Sequence, residues 1–80
     1  MWRVYLLLCK DTCIYTGITT DLKKRFVAHA AGKGGRYTRS HKPVKILYSE
    51  THRTKSKALK REAEIKKWKR GKKLALAKNK

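Results

Sequence analysis

The run Trp2-Arg3-Val4-Tyr5-Leu6-Leu7-Leu8-Cys9, largely apolar and followed at once by a second strand-like run, constrains this chain more than any other feature. Val4 and Tyr5 favour a strand. Lys10-Asp11-Thr12 reads as a short turn and Cys13 to Ile18 as the returning strand. With a three-residue loop, Cys9 pairs with Cys13, Tyr5 lies opposite Gly17, and Leu7 lies opposite Tyr15. Residues directly opposite share a face of the sheet, so the two tyrosines point the same way as diagonal neighbours. Gly17 has no side chain and leaves space beside Tyr5 for a ligand or another backbone. A register slip of one residue would destroy the arrangement.

Downstream, Thr20 or Asp21 can cap a helix running to about Ala31 and stopping at Gly32. Leu22, Phe26 and Ala30 mark its expected buried stripe. Arg25 and His29 lie along the same side, bordering the core. Gly32 to Pro43 reads as a loop. Its basic residues Lys33, Arg36, Arg39, Lys42 and, if protonated, His41 favour phosphate, and Tyr37 could stack on a base or sugar. Val44 to Ser49 is predicted to be a third strand. A helix follows from about Lys55 to Arg70, broken by Gly71, with a short last helix over Lys72 to Ala77. On a wheel of about 100° per residue, Ala58, Leu59, Ala63, Ile65 and Trp68 gather around one side, with Glu62 near its centre and Glu64 opposite. A carboxylate in that position is costly without a partner, so Glu62 needs a cation, either a basic side chain or a metal ion.

Eighty residues make one domain, over 1–80, with room for one small core. A large enclosed pocket does not fit, and a polymer lying across a surface groove does. Lys plus Arg number 23 and Asp plus Glu number 5, a formal net charge of +18. A balance this basic favours a polyanion, DNA or RNA. Leu6-Leu7-Leu8 is too short for a signal peptide and follows Arg3 too closely. No stretch approaches the roughly 20 apolar residues of a membrane span, so the expected location is cytoplasmic with no membrane partner. Cys9 and Cys13 have no neighbouring histidine for a metal site and read as small apolar strand residues. His41 and His52 read as surface residues.

These residues together resemble the GIY-YIG endonuclease superfamily, and in particular its small stand-alone bacterial branch, the YhbQ-like (URI) proteins. Arg3-Val4-Tyr5 stands where the family has Gly-Ile-Tyr, and Tyr15-Thr16-Gly17 where it has Tyr-Ile-Gly. Thr19 to Arg25 resembles the approach to the family's essential arginine, and His29 follows one turn later. Ala58-Leu59-Lys60-Arg61-Glu62 resembles the segment carrying its metal-binding glutamate. Arg3, Val4 and Thr16 depart from the pattern. The asparagine that many members carry after the glutamate has no counterpart, since Asn79 stands at the very end.

The resemblance implies an α/β (α+β) domain, a small three-stranded antiparallel sheet flanked by helices. It also implies one Mg²⁺ or Mn²⁺ ion held by Glu62 and phosphate oxygens, and hydrolysis by in-line attack of water. The implied catalytic set is Tyr5, Tyr15, Arg25, His29 and Glu62. A carboxylate is a hard ligand suited to Mg²⁺. Arg25 suits the phosphate and the charge that builds in the transition state. Tyr5 is the candidate base, although a free phenol pKa near 10 makes it a poor one unless a cation lowers it. The sequence leaves open which of Tyr5, Tyr15 and His29 takes the proton.

The resulting expectation is a DNA endonuclease of low intrinsic sequence specificity, gripping the backbone through the loop at 33–42 and the Lys-rich helix. Structured or single-stranded DNA fits as well as duplex, and RNA is compatible. A targeting protein is compatible too, and the expected state is a monomer or weak homodimer. The alternative is a basic DNA- or RNA-binding protein that does not cleave, which the charge alone would support.

Overall fold

The computed structural model describes residues 1–10, 12–31 and 42–78. Three strands, β1 (Trp2–Cys9), β2 (Ile14–Thr19) and β3 (Pro43–His52), form one antiparallel sheet in the order β2-β1-β3. Three helices accompany it: α1 (Leu22–Ala30), α2 (Lys55–Lys66) and α3 (Arg70–Lys78). The implied class, a small antiparallel sheet flanked by helices, is the observed one.

The β1–β2 hairpin has the expected register. Tyr5 faces Gly17 and Leu7 faces Tyr15, while the Cys9 amide donates to the Cys13 carbonyl at 2.8 Å. Cys9 is buried and Cys13 half-buried. Alternation along β1 then divides the sheet into two chemically different faces. Val4 and Leu6 point to one face, where Ala58 and Ile65 of α2 complete the buried core. Trp2, Ile14, Ile18, Leu47, Tyr48, Trp68 and Leu76 pack around that cluster. Tyr5 points to the other face, beneath α1.

The third strand is longer than predicted, extending to Pro43 and to His52. Proline donates no ladder hydrogen bond but is tolerated as the first residue of a strand. At the far end, pairing of His52 with Trp2 extends the strand past Ser49. The β1–β3 register shifts between Leu6 and Leu7, where Tyr48 and Ile46 are the successive partners. This bulge lets the neighbours Leu47 and Tyr48 both pack on the same core.

The helices correct three further expectations. In α1, Asp21 is the N-cap and its carboxylate accepts from the Lys24 amide at 3.0 Å. The expected stripe is turned: Leu22 and Phe26 are half-buried, Ala30 is exposed, and His29 is the fully buried residue. In α2 the buried stripe is narrower than the wheel suggested. Ala58 and Ile65 are buried, Arg61 and Glu62 are half-buried between them, and Leu59 and Ala63 are exposed. Finally, the break falls at 67–69 rather than at Gly71, which lies inside the first turn of α3. There the Trp68 amide donates to the Ile65 carbonyl at 2.9 Å, a tightened last turn. That turn seats Trp68 against the core, with Arg61 and Lys72 over its ring.

Candidate active site

The hairpin register and α1 build the centre of the site. Tyr5 is 1% exposed, and its hydroxyl lies 3.0 Å from Nε2 of the buried His29. Tyr15 completes a triangle of rings, with centroids 6.2 Å from Tyr5 and 5.2 Å from His29, the latter edge-on. Gly17 makes the triangle possible. A Cβ there would stand 2.5 Å from the Tyr5 hydroxyl oxygen and 2.8 Å from Cζ. The space expected beside Tyr5 for a ligand or another backbone is instead filled by the Tyr5 ring itself.

Arg25, an exposed residue of α1, lies close enough to the Tyr5 hydroxyl for its guanidinium to lower the phenol pKa. Which partner donates in the Tyr5–His29 hydrogen bond is set by the imidazole tautomer. A hollow of about 250 Å³ opens beside Arg25, lined also by Thr19, Asp21, Lys24 and Ala28. A larger one of about 560 Å³, along Leu22, Phe26, Val27 and Ile46, holds none of the five candidate residues. Of the five candidate residues, Arg25 alone lines the smaller hollow.

Burial dominates the acid–base character of the pair. It pushes the Tyr5 pKa up to about 12, and the hydrogen bond from Arg25 offsets only part of that rise. Arg25 lowers the phenol pKa, but by less than burial raises it, so Tyr5 is a poor base in the free protein. Burial, with the nearby Arg25 charge, moves the His29 pKa down from 6.5. His29 is therefore a neutral imidazole at neutral pH, able to receive a proton.

Glu62 enters from α2. Its carboxylate is close enough to Tyr5 to act on the phenol pKa, and its side chain is 17% exposed. The cation expected beside it is Lys66, at 3.6 Å and one turn on. No group of three or more His, Cys, Asp or Glu side chains able to hold a metal occurs among the described residues. A half-buried carboxylate with one long ion pair does fit a Mg²⁺-type ion, which is commonly held by one or two carboxylates together with substrate phosphates.

The structure thus brings Tyr5, Tyr15, Arg25, His29 and Glu62 together. Lys42 is exposed, and its carbonyl accepts from the Lys10 amide at 2.7 Å. Lys33, Arg36, Tyr37, Arg39 and His41 lie outside the described residues. His52 is not a free surface residue. Its Nε2 is 2.5 Å from Glu50, which also accepts from the Tyr48 hydroxyl at 2.7 Å and from Arg61 Nε at 3.1 Å. Arg61 reaches on to Glu64 at 2.8 Å. This network ties β3 to α2 one residue from Glu62. Sequence reasoning missed it, and the adjacent acidic and imidazole side chains of Glu50-Thr51-His52 were the available signal.

An antiparallel sheet carrying two paired tyrosines, covered by a helix bearing arginine and histidine and approached by a helical glutamate, defines a GIY-YIG-type catalytic domain. The profile of the GIY-YIG catalytic domain matches residues 1–75. The chain belongs to the GIY-YIG family, in its small stand-alone YhbQ-like branch. It is 55% identical over 65 residues to a UPF0213 protein of Cupriavidus necator, covering 81% of this chain and 71% of that protein. It is 48% identical over 73 residues to a UPF0213 protein of Staphylococcus saprophyticus, covering 91% and 89%. The solution NMR structure of the UPF0213 protein BH0048 from Bacillus halodurans superposes with a TM-score of 0.62 at 41% identity, covering all of this chain and 86% of that one. Among the described residues no helix is long and apolar enough to cross a membrane.

Proposed function

We propose that the protein is a divalent-metal-dependent endonuclease that hydrolyses DNA phosphodiester bonds by in-line attack of water, with low intrinsic sequence specificity. The observation that carries this reading is the Tyr5–His29 hydrogen bond, with the Arg25 and Glu62 charges both within electrostatic reach of the phenol. A protein that only bound phosphate would gain nothing from a carboxylate there. The net charge of +18 alone is equally compatible with a non-catalytic binder. A buried tyrosine–histidine pair within reach of both an arginine and a carboxylate favours the enzyme.

Arg25 is exposed on one side and anchored to Tyr5 on the other. It holds a phosphate oxygen and stabilises the charge that accumulates as the water attacks. Tyr5 orients the water. Because its own pKa is high, Tyr5 passes its proton to neutral His29 as it receives one from the water, so no free phenolate is needed. Tyr15 walls the imidazole edge-on and limits its rotation. Glu62, with phosphate oxygens, would hold one Mg²⁺ or Mn²⁺ ion. When bound, that ion supplies Lewis-acid stabilisation of the phosphate and the leaving oxygen.

Cleavage of labelled single-stranded, duplex, nicked, flapped and branched DNA, and of RNA, tests the reading in Mg²⁺, Mn²⁺ and EDTA. Metal-dependent cutting that disappears in Glu62→Ala supports it. Binding across the panel with no cutting above that variant's background overturns it in favour of the non-catalytic reading.

A further inference from the structure

A second polar group lies on the opposite face of β2, outside the five residues above. Thr16 pairs with Leu6 in the sheet and so shares the apolar face with Val4, Leu6 and Ile65. Its side chain is 3% exposed, and Oγ1 has no hydrogen-bond partner among the described residues. An apolar residue would suit the packing there, and the motif that this segment resembles carries isoleucine. A buried hydroxyl without a partner is destabilising, so packing alone does not explain this threonine.

The pocket that Thr16 lines gives it a use. It measures about 240 Å³, opens at the outer strand of the sheet, and is lined by Ile14, Tyr15, Thr16, Lys66 and Lys73. Two lysines from different helices and the threonine with the unsatisfied, buried hydroxyl line a single small volume, with no carboxylate among the lining residues. Lys73 is half-buried, and burial together with the Lys66 charge lowers its pKa. Lys66 is also the partner of Glu62, at 3.6 Å. The pocket is thus one side chain away from the candidate catalytic carboxylate.

We propose that Thr16, Lys66 and Lys73 form an oxyanion subsite for a backbone phosphate of the nucleic acid, next to the one that is cleaved. The lysines supply the charge and the threonine hydroxyl donates to a phosphate oxygen. Occupancy relieves the repulsion between the lysines and satisfies the orphaned hydroxyl. Lys66 links the two sites: it pairs with Glu62 at 3.6 Å, and would be freed for the phosphate were that carboxylate to hold a cation. As a substrate subsite this rests on the nuclease reading, whereas the anion binding does not.

The test compares wild type, Thr16→Val, Lys73→Gln and the exposed control Lys45→Gln. Affinity for fluorescein-labelled DNA is read by anisotropy in EDTA at several salt concentrations, and thermal midpoints are read in parallel. Thr16→Val is expected to bind DNA several-fold more weakly while melting at the wild-type temperature or above. Lys73→Gln is expected to lose more affinity than Lys45→Gln and to reduce the salt slope by about one. Inorganic phosphate should shift the Thr16 and Lys73 amide resonances of wild type but not those of Thr16→Val. Wild-type affinity and wild-type phosphate response in Thr16→Val, or equal losses in Lys73→Gln and Lys45→Gln, would overturn the subsite. Cleavage of thymidine 5′-p-nitrophenyl phosphate, too short to span both sites, separates the two readings. In Lys73→Gln it should fall less than the cleavage of DNA does. If wild type fails to cleave any substrate while the binding differences persist, the nuclease reading falls and the anion subsite stands.

Discussion

The Tyr5 hydroxyl lies 3.0 Å from His29 Nε2, across 24 residues of chain, with both side chains buried. The hairpin register aims Tyr5 at α1, and the turned stripe of α1 aims His29 back. Removing the hydroxyl in Tyr5→Phe leaves the imidazole nitrogen without this partner in a buried site. A destabilisation of about 1–3 kcal/mol is expected. Activity should fall by about 10²-fold or more, the usual scale for a positioned proton-transfer group. Thermal unfolding and single-turnover cleavage measure the two losses separately. An active, fully stable Tyr5→Phe would contradict the assigned contact.

Gly17→Ala probes the same triangle through the backbone. The added Cβ would meet the Tyr5 oxygen at 2.5 Å and ring carbon Cε2 of Tyr15 at 3.0 Å. Both are groups of the packed centre, so the Tyr5 ring must move away from His29. Overpacking of this kind costs about 1–3 kcal/mol. Activity is expected to fall more steeply than stability, with altered Tyr5 and His29 ring resonances in NMR spectra. Wild-type resonances in Gly17→Ala would contradict this close approach.

Stability should decline at both ends of the pH range, for opposite reasons. Tyr5 has its pKa raised by burial from 10.0 to about 12, so between those values the unfolded chain loses a proton that the folded chain keeps. Its contribution is complete below pH 10 and is lost as pH rises through about 12. His29 is shifted down by burial, so below pH 6.5 the unfolded chain gains a proton that the folded chain resists. Its contribution is present above 6.5 and is lost as pH falls through its folded value. Thermal midpoints from pH 4 to 11 test this, and His29→Asn should flatten the acid side. The cleavage rate should show an acid limb with an apparent pKa below 6.5, also absent in that variant.

The Glu50 network should matter for the position of Glu62 more than for substrate contact. Burial would raise the Glu50 pKa, but hydrogen bonds from Tyr48 and His52 and the Arg61 guanidinium overcome it and hold the carboxyl below 4.5. Its contribution to stability is present above 4.5 and is lost as pH falls through the folded value. Glu50→Gln removes the charge from a side chain 17% exposed and leaves Arg61 with only Glu64. The expected cost is about 1–3 kcal/mol, with weaker metal dependence of cleavage because α2 carries both Arg61 and Glu62. Unchanged stability would show that the network does not secure α2.

The hairpin was legible because its physics is local. A short loop fixes the register, alternation places the two tyrosines together, and Gly17 marks the close approach. Glu62 was legible because a carboxylate on an apolar helical face asks for a partner, and Lys66 stands one turn away. The end of α2 was not, since Lys66 to Lys69 reads as continuous helix except for Trp68, whose packing against the core sets the break. Leu59 and Ala63 were placed on the buried side because a Lys-rich helix gives a weak periodic signal, and the stripe is only wide enough to bury Ala58 and Ile65. The contacts of Glu50 with Arg61 and of Thr16 with the lysine pocket depend on pairing distant segments, which no single window of sequence reveals.

The most direct test is single-turnover cleavage of the best DNA substrate by wild type, Tyr5→Phe, Arg25→Ala, His29→Asn and Glu62→Gln, each shown to be folded. Wild type should cut only with Mg²⁺ or Mn²⁺, and each variant should lose about 10²-fold or more. Wild-type rates in folded Arg25→Ala and Glu62→Gln, or no cutting by wild type on any substrate, would contradict a phosphodiester-cleaving site built from these residues.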